Sequence, residues 1–296
     1  MRADLAETIS AKLIDLMEKH GSNWRQPWTG SGLYRNAVSN KPYRGINQLI
    51  TATSGYSEPW FATYKQWHDL GAQVRKGEKA TAIFFFKPFN VKDRETEQEK
   101  QIMLARTYSV FNVAQVDNPP PLEITIRPEI ERHADCDRII ADTGAEISYG
   151  GDRAAYIPSQ DKIILPAPKQ FESRDAFYSV AFHELSHWSG GEKRLNRNLK
   201  GRFGDQSYAF EELIAESASA FILAGIGIVP EPRKETAQYL NGWIKALRDD
   251  KKAIVTAFSH AQKAADFILK DEPALEAEPT RPEAKDEPQP AFRRPA

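Results

Sequence analysis

Residues 177–191 read Phe-Tyr-Ser-Val-Ala-Phe-His-Glu-Leu-Ser-His-Trp-Ser-Gly-Gly, and three of them, His183, Glu184 and His187, constrain the fold more than any other feature. On a helix, positions i and i+4 share a face, so both imidazoles can meet one cation. Glu184 follows the first histidine directly, where its carboxylate can reach a water beside that cation. The spacing predicts a helix here, with Val180, Ala181, Phe182, Leu185 and Trp188 as its core-facing side.

A catalytic zinc ion usually has three protein ligands and one position open to water. The other histidines, His20, His68, His133 and His260, stand in no comparable pattern. Residues 208–223 read as the next helix, with Phe210, Leu213, Ile214, Ala218, Phe221 and Ile222 as its buried stripe. Glu212 and Glu216 lie i, i+4 on another face, so both can point at one site. The reading adopted is Glu212 as third ligand and Glu216 as acceptor for a ring N–H of a ligating histidine. Spacing alone does not rank the two, and a helix face of solvated acids is the plain alternative. Glu184 would take a proton from water and pass it to a leaving amine. Zn2+ is the expected metal, with another divalent ion such as Mn2+ as the alternative. No residue stands out as an oxyanion stabiliser; Tyr156 and Tyr178 are the candidates, better read as core tyrosines.

A mean hydropathy of -0.57 describes a water-soluble chain. No apolar run approaches the ~20 residues that span a bilayer, so no membrane partner is expected. Residues 1–20 carry Asp4, Glu7, Asp15 and Glu18 among apolar positions, unlike an export signal. The single Cys136 excludes an internal disulfide and suits a reducing compartment, so the expected location is cytoplasmic. The net charge of -1 hides an asymmetry: residues 20–92 hold ten Lys or Arg against three Asp or Glu, and residues 271–296 hold four against seven.

The pattern predicts an α+β chain. Residues 1–20 form a helix with Leu5, Ile9, Leu13, Leu16 and Met17 on one stripe. Residues 60–70 read as a helix opened by Ser57-Glu58-Pro59 and closed by Gly71. Residues 80–91 and 101–116 read as two strands of an antiparallel hairpin around a charged loop. This mixed N-terminal domain, residues 1–117, ends at a Pro-rich linker, 118–122. The second domain, 123–270, is mainly helical with a small sheet. It holds a helix at 128–143, strands at 145–149 and 161–166, the two metal helices, and helices near 232–248 and 250–270. The acidic tail, 271–296, is too rich in Pro, Glu and Ala to bury a core and is expected to be disordered.

In residues 20–92, four of the six tryptophans (Trp24, Trp28, Trp60, Trp67) mingle with Arg25, Lys41, Arg44, Lys65, Arg75, Lys76 and Lys79. Dispersed cations suit phosphates and aromatic faces suit unpaired bases, so the mixture fits single-stranded nucleic acid. Tyr43, between Lys41 and Arg44, and the turn carrying Arg75, Lys76 and Lys79 carry most of the signal. The competing reading makes the tryptophans core and the basic loops merely solvated. No motif for duplex sequence readout is present.

The stretch Lys41-Pro42-Tyr43-Arg44-Gly45-Ile46-Asn47, Trp60 with Thr63-Tyr64-Lys65-Gln66, and Val74-Arg75-Lys76-Gly77-Glu78-Lys79 resemble the ArdC antirestriction family of conjugative plasmids. So do His183-Glu184-Leu185-Ser186-His187 and Glu211-Glu212-Leu213-Ile214-Ala215-Glu216, and the latter also resembles the gluzincin pattern E-x-x-A-D. The resemblance covers nearly the whole chain except the tail. It implies an N-terminal single-stranded DNA-binding domain and a C-terminal zincin-like metallopeptidase domain. It implies protection of incoming DNA from host restriction but does not supply the peptidase substrate; the leading reading adds a host protein, cut at the metal site, as a further partner. Zincins lay substrate beside an edge strand, for which 161–166 is the candidate. The alternative function is a non-catalytic single-strand binder whose metal site is structural or vestigial. Metal-dependent cleavage of nucleic acid is disfavoured, because nucleases often pair two metals and no second carboxylate cluster is present.

Overall fold

The structure, a computed structural model, describes residues 3–20, 32–92, 99–124, 127–199, 206–229, 236–250 and 253–271. Trp24, Arg25, Trp28, the tip of the expected hairpin loop and all but the first residue of the acidic tail lie outside them.

Strands β1 (Arg35–Asn36), β2 (Trp60–Thr63), β4 (Thr81–Lys92) and β5 (Glu99–Asn112) form one sheet in the order β1-β2-β5-β4. The long hairpin is β4 on β5, antiparallel from Thr81↔Val110 to Lys92↔Glu99. A helix over 60–70 is not what forms. Trp-Phe-Ala-Thr pairs with β5 as β2, and the helix α3 (Tyr64–Asp69) starts only after Thr63. The true start signal is a capping box: the Thr63 hydroxyl accepts the Gln66 N–H, and the Gln66 side chain accepts the Thr63 N–H. Cross-strand pairing of an aromatic-rich tetrapeptide overrides the helix pattern that follows it.

The two faces of this sheet have different fates. Trp60 and Ala62 pack outward against Trp67, Ala72, Val74 and Val116. Helix α3 and the small antiparallel pair β3 (Gln73–Val74) and β6 (Val116–Asp117) thus form an outer layer. Leu122, in the Pro-rich stretch, packs on the same cluster. Phe61, the alternate residue of β2, points the other way. It joins Tyr34, Tyr43, Leu49, Ile83 and Val110 in a core that continues without a break into Phe182, Phe221 and Phe258.

Helices α1 (Ala3–His20) and α2 (Ile46–Ala52) contribute Leu13, Met17, Ile46 and Leu49 to that core. The C-terminal half adds α4 (Glu129–Asp142), α5 (Arg174–Ser189), α6 (Gln206–Ile226), α7 (Thr236–Asp249) and α8 (Ala253–Leu269). Its sheet has β7 (Glu146–Tyr149) parallel to β9 (Lys162–Leu165), and β8 (Ala155–Ile157) antiparallel to β9, in the order β7-β9-β8. Helix α6 packs against α5, α7 and α8, which is why its sequence is apolar on nearly all sides. Among the described residues no helix is long and apolar enough to cross a membrane.

The stretch 43–48 is a structural hub. The buried Tyr43 hydroxyl donates to Phe61 O at 3.3 Å, and the Gln48 amide donates to Tyr34 O and Tyr43 O, both at 2.7 Å. The Asn47 side chain bonds Phe84 through both N–H and C=O, at 2.9 and 2.6 Å. Arg44 pairs with Asp266 of α8, and Gly45 N–H donates to Gln262 Oε1 at 2.8 Å. Gly45 has φ +52°, and a Cβ there would stand 3.4 Å from Phe258 O, so both conformation and proximity call for glycine.

Candidate metal centre

Helix α5 begins where the Ser173 hydroxyl accepts the Ala176 N–H at 2.9 Å, with Asp175 in the first turn. It ends at Gly190. Phe177, Ala181, Phe182 and Leu185 bury one side, and this fixes the azimuth at which His183 and His187 leave the helix. Their rings meet edge to face with centroids 4.7 Å apart, and their Nε2 atoms are 3.0 Å apart. Glu212 of α6 places Oε2 3.4 Å from His183 Nε2 and Oε1 3.4 Å from His187 Nε2. One ligand atom from each of the three residues lies within 4.8 Å of the others, the one such group of His, Cys, Asp or Glu among the described residues. Their side chains are 3 % (His183), 6 % (Glu212) and 15 % (His187) exposed, so His187 is the most open of the three.

Both Nδ1 atoms face carboxylates. His183 Nδ1 is 3.0 Å from Glu216 Oε2, and His187 Nδ1 is 3.3 Å from Glu211 Oε1. A ring that donates Nδ1–H to a carboxylate presents its Nε2 lone pair on the other side. Two such lone pairs and a carboxylate converge with no hydrogen-bond donor of their own, which is the donor set that suits a divalent cation. Glu216 thus stands where a ring N–H is offered, and Glu212 where ligands converge.

Glu211 has a role that the sequence reading did not give it. Its two oxygens take both a 2.7 Å and a 3.0 Å hydrogen bond from Arg197, whose guanidinium also donates to Ser186 O at 2.6 Å and Ser189 Oγ at 3.0 Å. The Arg197 and Glu211 side chains are 3 % and 9 % exposed. Removing either partner leaves an uncompensated buried charge behind His187. The adjacent Glu-Glu pair was the available signal; nothing local pointed to Arg197, which reaches the centre through the loop after α5.

Glu184 is also anchored. Tyr156 N–H donates to its Oε2 at 2.8 Å. Since β8 is an edge strand, this amide points off the sheet toward α5. The strand over 161–166 expected to be the edge is instead β9, central in its sheet, and β8 was missed because three residues show no readable alternation. The two candidate oxyanion tyrosines are otherwise engaged. Tyr178 is fully buried, with its hydroxyl donating to Asp137 at 2.8 Å, and the Tyr156 hydroxyl donates to Asp161 at 2.9 Å.

Electrostatics reflect the crowding of acids. Burial opposes a charge on His187, but hydrogen bonds to Glu211 and Glu212 outweigh it and push its pKa up to about 10. Burial likewise opposes ionisation of Glu212, yet its bonds to His183 and His187 hold it well below the usual carboxylate range. A proton therefore takes the cation's place on His187 in the metal-free protein. The unfolded chain releases this proton near pH ~6.5. Its contribution to stability is thus complete below that pH and is lost as pH rises through about 10. A cation must displace it, so apparent affinity for Zn2+ is expected to rise roughly tenfold per unit between about pH 7 and 9. Calorimetry across that range, in buffers of differing ionisation enthalpy, measures both affinity and proton release; a flat profile would show that His187 carries no proton.

Residues 134–260 match the family model of a zincin-like metallopeptidase, and residues 3–111 match that of the N-terminal domain of anti-restriction factor ArdC. The crystal structure of the antirestriction ArdC protein from plasmid R388, metal-free, superposes with a TM-score of 0.72 at 35 % identity, over 90 % of this chain and 97 % of that one. The chain belongs to the ArdC family. The Mn(II)-bound ArdC structure fits equally, with a TM-score of 0.72 and 34 % identity. The chain is also 38 % identical to the uncharacterized protein y4eC of Sinorhizobium fredii (strain NBRC 101917 / NGR234), over 90 % of its own length and 91 % of that protein. It is 38 % identical to the DNA primase TraC of Escherichia coli, where 89 % of the chain spans only 27 % of the primase.

In the ArdC-type N-terminal part, the expected DNA-contacting residues divide. Lys41, Lys65, Arg75, Lys76 and Lys79 are exposed. Lys65 pairs with Asp69 at 2.9 Å and Arg75 with Glu78 at 2.8 Å. Tyr43 and Arg44 are not available as expected: the first is 4 % exposed and the second is tied to Asp266. Trp60 and Trp67 are core residues. Local sequence shows a Tyr between cations but not that its ring plugs the sheet. Trp24 and Arg25 lie outside the described residues.

Proposed function

We propose that this protein binds single-stranded DNA entering a recipient cell during conjugation and protects it from host restriction, acting in the cytoplasm. We further infer that its metal centre is a peptidase active site directed at a host protein. Support comes from the antirestriction ArdC relative with its Mn(II)-bound form and from the primase relative, whose match runs through both halves of the chain. The lone, unpaired Cys136 agrees with a reducing compartment.

His183, His187 and Glu212 would hold Zn2+ or Mn2+, which supplies Lewis acidity toward water and a peptide carbonyl. Glu216 and Glu211 fix the two imidazoles with Nε2 inward. Tyr156 N–H orients Glu184 through one oxygen. The other oxygen is left to accept a proton from the attacking water and return it to the departing amine nitrogen.

The observation that carries this reading is a carboxylate anchored one residue from the converging ligand set; a purely structural site has no use for Glu184 there. The test is plasmid transfer into a restricting recipient, comparing the wild-type protein with Glu184→Gln. Protection lost in the variant supports proteolysis. Equal protection favours the non-catalytic single-strand binder with a structural metal.

A further inference from the structure

If the N-terminal half holds a single strand, the ring that stacks on a base must be one the fold leaves open, and Tyr43 is not. Among the residues up to 117 whose side chains are described, the large apolar ones standing exposed are Val38 and Tyr64, at 52 % and 51 %. Both belong to the outer layer of the four-stranded sheet. The Asn36 amide donates to Gln66 Oε1 at 3.1 Å and ties the turn carrying Val38 to the start of α3, where Tyr64 stands. The Tyr64 hydroxyl accepts a hydrogen bond from Gln73 Nε2 at 2.9 Å, so the ring is held against β3 while half its surface stays open. A ring held in advance loses little freedom when a base stacks on it.

Charge on this layer fits the same ligand. Lys41, Lys76 and Lys79 are exposed and make no ion pair among the described residues. The acids of the layer, Asp69, Glu78 and Asp117, face cations of their own: Asp69 pairs with Lys65, Glu78 with Arg75 at 2.8 Å, and Asp117 stands 3.9 Å from Arg75. The layer thus combines an open aromatic ring with unneutralised lysines, the pairing that single strands require. A duplex hides its bases and would leave Tyr64 without a partner.

We propose that this outer layer is the single-strand interface, with Tyr64 as the base-stacking residue and Lys41, Lys76 and Lys79 as phosphate contacts. The proposal rests on the single-strand-binding reading above. It also places the strand on the face of the sheet turned away from α8 and the metal helices, because Trp60 and Ala62 point outward and Phe61 inward. DNA and a protein substrate therefore use separate surfaces.

The test is fluorescence anisotropy of the full-length protein with a labelled 20-nucleotide oligothymidylate. Tyr64→Ala is expected to weaken binding about tenfold, with Tyr64→Phe and Tyr64→Trp close to wild type. The melting temperature of Tyr64→Ala should match wild type, because the side chain is exposed. The double change Lys76→Ala with Lys79→Ala should flatten the salt dependence by a log–log slope of about 1.4. Wild-type-like affinity of Tyr64→Ala, or equal affinity of the wild type for duplex, overturns the platform while leaving DNA binding intact. No binding by the wild-type protein overturns the single-strand reading and the platform together.

Discussion

Glu184→Gln is expected to lower turnover of an unfolded protein substrate by about 10²- to 10⁴-fold, the range for loss of a positioned general base. Metal affinity should stay within a few-fold of wild type, because Glu184 is not among the three converging ligands. Glutamine keeps an oxygen to accept the Tyr156 N–H bond, so the substitution changes proton transfer and little else. The comparison requires both measurements on one sample. Turnover lost together with the metal would make Glu184 a ligand or a packing residue. Unchanged turnover in a loaded variant would remove it from the chemistry.

A fragment of residues 1–117 is expected not to fold cooperatively, although the sequence suggests a separable domain. Leu13, Met17, Ile46 and Leu49 are buried in a core shared with Phe182, Phe221 and Phe258. Fully burying a side chain of this size is worth about 1.5–3 kcal/mol. Exposing even half of that area on four residues removes roughly 3–6 kcal/mol, against a typical total of about 5–15 kcal/mol. The fragment also loses the Arg44–Asp266 pair and the Gly45–Gln262 hydrogen bond. Circular dichroism on heating should show a shallow, non-cooperative change, with the intact chain melting sharply. A sharp melt of the fragment would mean that the shared core is an interface between two self-sufficient domains.

The legible part of this protein was local. Two imidazoles at i and i+4, two carboxylates at i and i+4, and a β-branched hairpin follow from the periods of helix and strand. What sequence could not convey was contact across long separations. In the sequence Glu211 is simply the neighbour of Glu212; only the fold sets Arg197 and His187 on either side of it. Tyr43 and Tyr64 sit among similar cations, and only distant partners separate them: the Tyr43 ring is buried with its hydroxyl on Phe61 O, while Tyr64 is half exposed with its hydroxyl on Gln73. Of the two edge strands, β7 is legible at 145–149, but β8 is only three residues long, and its importance lies in one amide aimed at a carboxylate 28 residues away.

Calorimetric titration of metal-free protein with Zn2+ is expected to show one ion per chain, with binding reduced beyond detection in His183→Ala and His187→Ala. Glu211→Gln and Glu216→Gln, which alter the carboxylates behind the two imidazoles, should each lose about 10- to 100-fold in affinity. One equivalent bound with unchanged affinity after both histidines are replaced would show that His183, His187 and Glu212 do not form one divalent-metal site.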